Sequence, residues 1–160
     1  MTLQNKPARL VGISALIAAF LLDQLSKAVV TANGPVLSAG LPVFPGFNLI
    51  FLRNDGVTFG LFSQVPWWAL TLVALVIASW VGSMMWRATQ RAETISCGLI
   101  VGGALGNVMD RVRFGAVTDF LDFYLGPYHW PAFNFADVAV VTGATLLVLL
   151  PVISRRPRIS

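Results

Sequence analysis

Charge is scarce in this chain of 160 residues, where Asp, Glu, Lys and Arg together make up 11%. A soluble globular domain carries about 25%. Cysteine and histidine are scarcer still, with Cys97 and His129 the only ones. A single cysteine excludes a disulfide framework within the chain and a Cys-rich zinc site. A single histidine argues against a multi-histidine metal centre, so neither metal nor cofactor is expected. Hydrophobic residues reach 56%. That composition excludes a disordered chain, a collagen-like chain and an ordinary soluble domain, which leaves an integral membrane protein. The formal charge is +4 and the pI is near 10.0. The basic residues are scattered among apolar spans, where such charges set topology, and no nucleic-acid partner is expected.

A membrane span needs about 20 mostly apolar residues to cross a hydrocarbon core of about 30 Å. Val65 to Trp86 carries no charge at all. Thr94 to Met109 is uncharged and glycine-rich, with Asp110 and Arg111 directly after it, and Val138 to Ser154 is a third uncharged run. The first segment, Leu10 to Val30, is apolar up to Leu22 and then reads Asp23-Gln24-Leu25-Ser26-Lys27. A signal peptide would close on small residues at a cleavage site, whereas here the helical pattern runs on through Asp23. Four transmembrane helices are therefore predicted, at about 10–30, 65–86, 94–111 and 135–154. No repeat, low-complexity tract or domain boundary interrupts them, so residues 1–160 read as one membrane-embedded domain. Seven of the Lys and Arg residues flank one side of this arrangement and four the other. The excess predicts both termini in the cytoplasm. All six aspartates and ten of the eleven phenylalanines then fall toward the outer face.

The outer segments have their own character. Pro35, Pro42 and Pro45 prevent a long helix between spans one and two. Phe47 to Leu52 is rich in strand formers, Asn54-Asp55-Gly56 supplies a turn, and Val57 to Phe62 reads as a returning strand. A small surface sheet is expected within about 34–63, and residues 112–133 are expected to form an outer loop. Tyr124, Tyr128, His129 and Trp130 in that loop suit the headgroup region.

Ionisable residues at span ends are the candidates for chemistry. Asp23 and Lys27 are spaced to pair on one helix face. Either the pair is structural or Lys27 snorkels, or else Asp23 orders an active site. Arg111 is expected to pair with Asp110 or to neutralise another carboxylate. Asp119 and Asp137 lie in apolar contexts without a basic residue within four positions. Two carboxylates sharing a poorly solvated site cannot both ionise cheaply, so one keeps a proton. One can then act as base toward water while the other donates to a carbonyl oxygen, the aspartic-protease arrangement. Asp122 is a rival partner for Asp119, and capping or interfacial hydration is the alternative use of these acids. A Ser-His-Asp triad has no nucleophile elbow, and Cys97 belongs to the opposite end of its span from His129.

Taken together, these residues resemble the bacterial lipoprotein signal peptidases, the signal peptidase II family. Asp23-x-x-x-Lys27 matches that family's first-helix motif. Arg53-Asn54-Asp55-Gly56-Val57-Thr58-Phe59 resembles its Asn-x-Gly-x-x-Phe stretch, with Val57 and Thr58 where alanines are usual. Gly106-Asn107-Val108-Met109-Asp110-Arg111 matches Gly-Asn-x-x-Asp-Arg. Val117-Thr118-Asp119-Phe120 resembles Val-Val-Asp-Phe, and Phe133-Asn134-Phe135-Ala136-Asp137 matches Phe-Asn-x-Ala-Asp.

The resemblance implies four transmembrane helices with a small extracytoplasmic sheet and a short surface helix, in the bacterial inner membrane, with the active site toward its outer face. It implies an aspartic endopeptidase that removes signal peptides from diacylglyceryl-modified prolipoproteins, just before the lipidated cysteine. Asp119 and Asp137 are the implied catalytic pair. Asp23, Lys27, Asn54, Gly56, Asn107, Asp110, Arg111, Asn134 and Ala136 are implied to bind substrate or support the site. Membrane lipids and the cyclic peptide inhibitor globomycin are the other implied partners. The alternative from another class is a small four-helix proton-coupled transporter or channel, which calls for acids near mid-span and on both sides.

Overall fold

The computed structural model describes residues 6–56 and 65–154. Helix α1 (Lys6–Ala32) leads into a single turn, α2 (Gly34–Leu37), and two strands, β1 (Leu41–Phe44) and β2 (Phe47–Asn54). Then come α3 (Trp67–Arg87), α4 (Arg91–Phe114), β3 (Val117–Leu125), β4 (Tyr128–His129) and α5 (Phe135–Ser154). Among the described residues, α1, α3 and α4 are long and apolar enough to cross a membrane, and Phe135–Pro151 forms a shorter apolar helix. Large apolar side chains such as Leu25, Val76 and Trp80 stand exposed on these helices. So much outward apolar surface suits lipid rather than water.

The helix ends follow from local chemistry. Pro35, in the first turn of α2, has no N–H and crowds the carbonyl four residues back, so α1 cannot run through it. Helix α4 continues past the expected boundary at 111 because nothing in Val112-Arg113-Phe114 stops it. It ends at Gly115, whose φ of 72° is the left-handed cap that glycine adopts without strain.

Helix α4 is the centre of the bundle, with 56% of its apolar window buried against 22% in α1 and α3. It packs on α1, α3 and α5. Glycine makes the approach to α1 and α5 possible. A Cβ on Gly98 or Gly102 would run into the Gly12 or Leu16 carbonyl of α1, and one on Gly103 into the Ala136 carbonyl of α5. Small residues at helix contacts are how membrane helices gain close packing when lipid offers no hydrophobic drive.

The outer end carries a four-stranded antiparallel sheet in the order β1-β2-β3-β4. The strand at Phe47–Leu52 is where the sequence put it. The returning strand expected at Val57–Phe62 lies outside the described residues, and the neighbours of β2 are β1 and β3. The loop expected over 112–133 is corrected: its centre is the nine-residue strand β3. Aromatic and branched residues bounded by Gly115 and Gly126-Pro127 form it. Its first four residues are all buried, which hides the alternation expected of a half-exposed strand. Phe120 seats β3 on the helices, packing with Val30, Leu37 and Phe135. Between Leu49 and Leu52 the register with β3 slips by one residue on β2. Such a bulge re-aims side chains, and the slip lies next to Asp119.

If the glycine contacts set the helix spacing, Gly102→Val should force α1 and α4 apart and cost on the order of 1–3 kcal/mol. Gly82 in α3 has nothing within 4 Å of an added Cβ. Gly82→Ala should therefore hold or raise stability through helix propensity. Thermal unfolding of both variants in the same detergent checks the contrast.

Candidate active site

The polar side chains at the outer end form one connected network, and it begins on α1. Lys27 is 3% exposed and does not snorkel, which corrects that expectation. Its ammonium lies 2.9 Å from Asp23 Oδ2, 3.5 Å from Asp110 Oδ2 and 2.9 Å from Asn107 Oδ1. Three N–H groups thus meet three oxygens. The Asp23–Lys27 pair is structural and also reaches onward, since Asp23 Oδ1 accepts the Ala136 N–H at 2.9 Å. That bond ties α1 to the first turn of α5. Ala136 is fully buried. Asp23 rests against Gly106, where an added Cβ would strike its carboxylate.

Asn107 carries the network across α4. Lys27 can only donate, so the Asn107 oxygen must face it and the Asn107 NH2 must face away. That NH2 donates to Asp137 Oδ1 at 2.8 Å. Asp137 is further held by reciprocal bonds with Asn134. Its Oδ2 accepts the Asn134 N–H at 3.1 Å, and its own N–H donates to Asn134 Oδ1 at 3.0 Å. This has the form of a capping box at the start of α5. The signal is present in the sequence as Asn134-x-x-Asp137 ahead of an apolar run, and motif reading passes over it.

Asn134 then reaches the other acid. Its NH2 donates to Asp119 Oδ1 at 2.7 Å and to Asn107 Oδ1 at 3.2 Å. Asn54, at the end of β2, donates to Asp119 Oδ2 at 2.8 Å, and its own oxygen accepts the Gly56 N–H at 3.2 Å. Asn134 therefore joins the two acids, its carboxamide holding the Asp119 carboxyl and its backbone N–H the Asp137 carboxyl. Burial pushes the Asp119 carboxyl from its ordinary 3.8 up to about 6. The bonds from Asn54 and Asn134 and the Lys27 charge oppose that rise, and the neighbouring Asp137 charge adds to it.

Both carboxylates line a cavity of about 620 Å³, together with Asn54, Gly56, Asn107 and Arg111. The volume lies in the usual range for ligand sites. Val138 and Val141 also line it and are exposed on the outer side of α5, so the cavity opens sideways along that helix. Arg111 faces the cavity, and among the described residues no carboxylate lies within 4 Å of it, so the expected pair with Asp110 does not form.

Asp110 instead takes the Thr118 N–H on Oδ2 at 2.8 Å, which fastens the start of β3 to α4. Gln24, which no sequence motif singles out, donates to Asp23, to the Gly106 carbonyl and to Asp110. The rival acid is set apart. Asp122 is an odd number of residues from Asp119, so on a strand the two point to opposite faces. Asp122 bonds Asn48 and His129.

Comparison with known proteins agrees with this architecture. The family described as "Signal peptidase (SPase) II" matches residues 15–153. A lipoprotein signal peptidase of Nitratidesulfovibrio vulgaris (strain DP4) is 45% identical over 142 residues, covering 84% of each chain. One from Desulforapulum autotrophicum is 42% identical over 156 residues, covering 93% of this chain and 94% of its own. A solved bacterial membrane enzyme shares the fold with a TM-score of 0.78 at 23% identity, covering 93% of both chains. A second has a TM-score of 0.76 at 25% identity, covering 87% of this chain and 90% of that one. The chain belongs to the signal peptidase II family and is a membrane protease.

The position of Asp119 has a measurable consequence. Between about pH 4 and about pH 6 the folded carboxyl holds its proton while the unfolded one has released it, so stability falls as pH rises through that window. The fall should be on the order of 1–3 kcal/mol and largely absent in Asp119→Asn. Thermal unfolding of both proteins across the window measures it, and equal slopes would contradict the assignment.

Proposed function

We propose that this protein removes the signal peptide from diacylglyceryl-modified prolipoproteins, cutting just before the lipidated cysteine, with Asp119 and Asp137 as the catalytic pair. The observation that carries the reading is the pair itself. Two acids from different elements are both held by Asn134, Asp119 through its carboxamide and Asp137 through its backbone N–H, and both face one cavity that opens sideways along α5. A substrate anchored in the bilayer by acyl chains and a signal helix has to arrive from the side.

In this mechanism the shared proton rests on Asp119, the more deeply desolvated carboxyl. Asp137 takes a proton from a water held between the two groups, and that water attacks the scissile carbonyl. Asp119 donates to the carbonyl oxygen as charge develops there. As the tetrahedral intermediate collapses, Asp137 passes the water's proton to the departing amide nitrogen, the carbon–nitrogen bond breaks, and Asp119 takes its proton back from the hydroxyl. Arg111 lines the cavity with no carboxylate within 4 Å among the described residues, so its charge can meet a developing negative charge. Asn54, Asn107 and Asn134 hold the geometry with neutral bonds and leave the charge balance to the acids. The cyclic peptide globomycin is expected to occupy the same cleft.

In the same reading α5 crosses the membrane as a fourth span, and residues 1–160 act as one domain. Both termini lie in the cytoplasm of a bacterium, and the site faces the outer side of the inner membrane. The distribution of Lys and Arg supports this orientation, seven to four. The transporter reading is weaker, because α4 offers only apolar and small side chains from Cys97 to Gly106 and so no polar path inward from the network.

The test uses purified protein in lipid and a diacylglyceryl-modified prolipoprotein. Asp119→Asn and Asp137→Asn should each lower cleavage by at least about 10²-fold. Glu93→Gln, an acid at the opposite end of α4, should leave it unchanged. Near-normal cleavage by both aspartate variants would end the proposal. The wild-type rate should also trace a bell in pH, and a rate flat through the acid range would count against a shared proton.

A further inference from the structure

Asp122 is buried, lies outside the pair described above, and has both oxygens occupied. Asn48, its partner across the β2–β3 ladder, donates to Oδ2 at 2.9 Å, and His129 Nδ1 lies 2.8 Å from Oδ1. One carboxylate thus pins side chains from β2 and β4 to β3. A polar contact wholly on the surface would contribute little. This one differs, because the carboxylate side chain is 8% exposed and its partner sits on a strand with little else to hold it. Strand β4 is two residues long and both side chains are exposed. The His129 ring also stacks on Tyr124, with centroids 5.2 Å apart.

The segment after β4 is one wall of the cavity. Trp130, Pro131, Ala132 and Phe133 all line it. The wall hangs between two anchors. At its far end Phe133 exchanges backbone bonds with Leu121 at 2.9 and 3.1 Å and leads directly into Asn134. At its near end the Trp130 N–H donates to the Phe123 carbonyl at 2.7 Å, next to the His129–Asp122 bond. Among the described residues Pro131 and Ala132 make no backbone hydrogen bond. The two anchors therefore serve different ends. Phe133 anchors the end that carries Asn134 to the carboxylates, while His129 holds the outer, apolar part of the wall.

We infer that His129, clamped by Asp122, is a positioning residue that sets the Trp130–Ala132 wall and so governs how tightly the substrate polypeptide binds, without acting on the bond-breaking step. The inference rests on the reading of this cavity as the prolipoprotein site.

The experiment is steady-state cleavage of a diacylglyceryl-modified prolipoprotein in lipid by wild type, His129→Phe and His129→Asn. Phe keeps a ring against Tyr124 and removes the bond to Asp122. Asn restores a side-chain N–H where Nδ1 had been. His129→Phe should raise KM roughly tenfold, the scale of losing a hydrogen bond to a charged group, with kcat within about twofold. His129→Asn should return KM to within about threefold of wild type. An unchanged KM in His129→Phe, a loss confined to kcat, or no rescue by Asn would each overturn the inference. So would failure of His129→Phe to fold, because the pair would then be holding the sheet rather than the wall. If wild type itself cleaves nothing, the reading of the cavity fails and this inference falls with it. Normal wild-type turnover with an unaffected His129→Phe removes the inference alone.

Discussion

Asn134 has no contact with solvent, and its carboxamide is bonded on every side. Its NH2 serves Asp119 and Asn107, and its oxygen takes the Asp137 N–H. The residue also ends the sheet-bound segment and begins α5, so strand β3, helix α4 and helix α5 meet at one amide. An amide suits the place because it donates and accepts without bringing a charge. A basic residue there would favour the ionised form of Asp119, and an apolar one would leave Asp119 short of a partner. The rest of the outer end can be understood as what is needed to hold this amide still.

Lipid makes that requirement strict. In the bilayer no water replaces a lost bond, so each buried polar group needs a partner from the protein. Asp23, Lys27 and Asp110 meet the requirement as a cluster, and Asn107 passes it on to Asp137. The cluster costs desolvation energy, and a buried ion pair is weak evidence of stability. Its return is geometric. Asp23 fixes the first turn of α5 through Ala136, and Asp110 fixes the start of β3 through Thr118. The two elements that carry Asp119 and Asp137 are thereby registered against the same central helix.

Much of this is legible from the residues, and the failures have physical causes. The uncharged runs mark the helices because the cost of charge in lipid leaves such a plain record. Asp119, Asp137 and the amides around them are found from motif resemblance and apolar context. Their connections are not, since hydrogen bonds between residues far apart in the chain leave no local pattern. Strand β3 reads as a loop because burial on both faces hides its alternation. With the strand unseen, the spacing between Asp119 and Asp122 looks compatible with pairing, which a strand forbids. Lys27 is allowed a snorkelling geometry because only the fold brings Asp110 and Asn107 to it. The Asn134–Asp137 capping box is readable and easily overlooked, because a family motif already claims both residues.

Burial lets Asp119 hold its proton up to about pH 6, well above the ordinary carboxylate range. Infrared difference spectroscopy over about pH 4 to about pH 8 reads it directly, since a protonated carboxyl and an ionised one absorb apart. Wild type should show an acid carbonyl band that titrates near pH 6, where burial puts Asp119, and that is missing from Asp119→Asn. A wild-type spectrum without that band, or a band that survives unchanged in Asp119→Asn, would contradict that assignment.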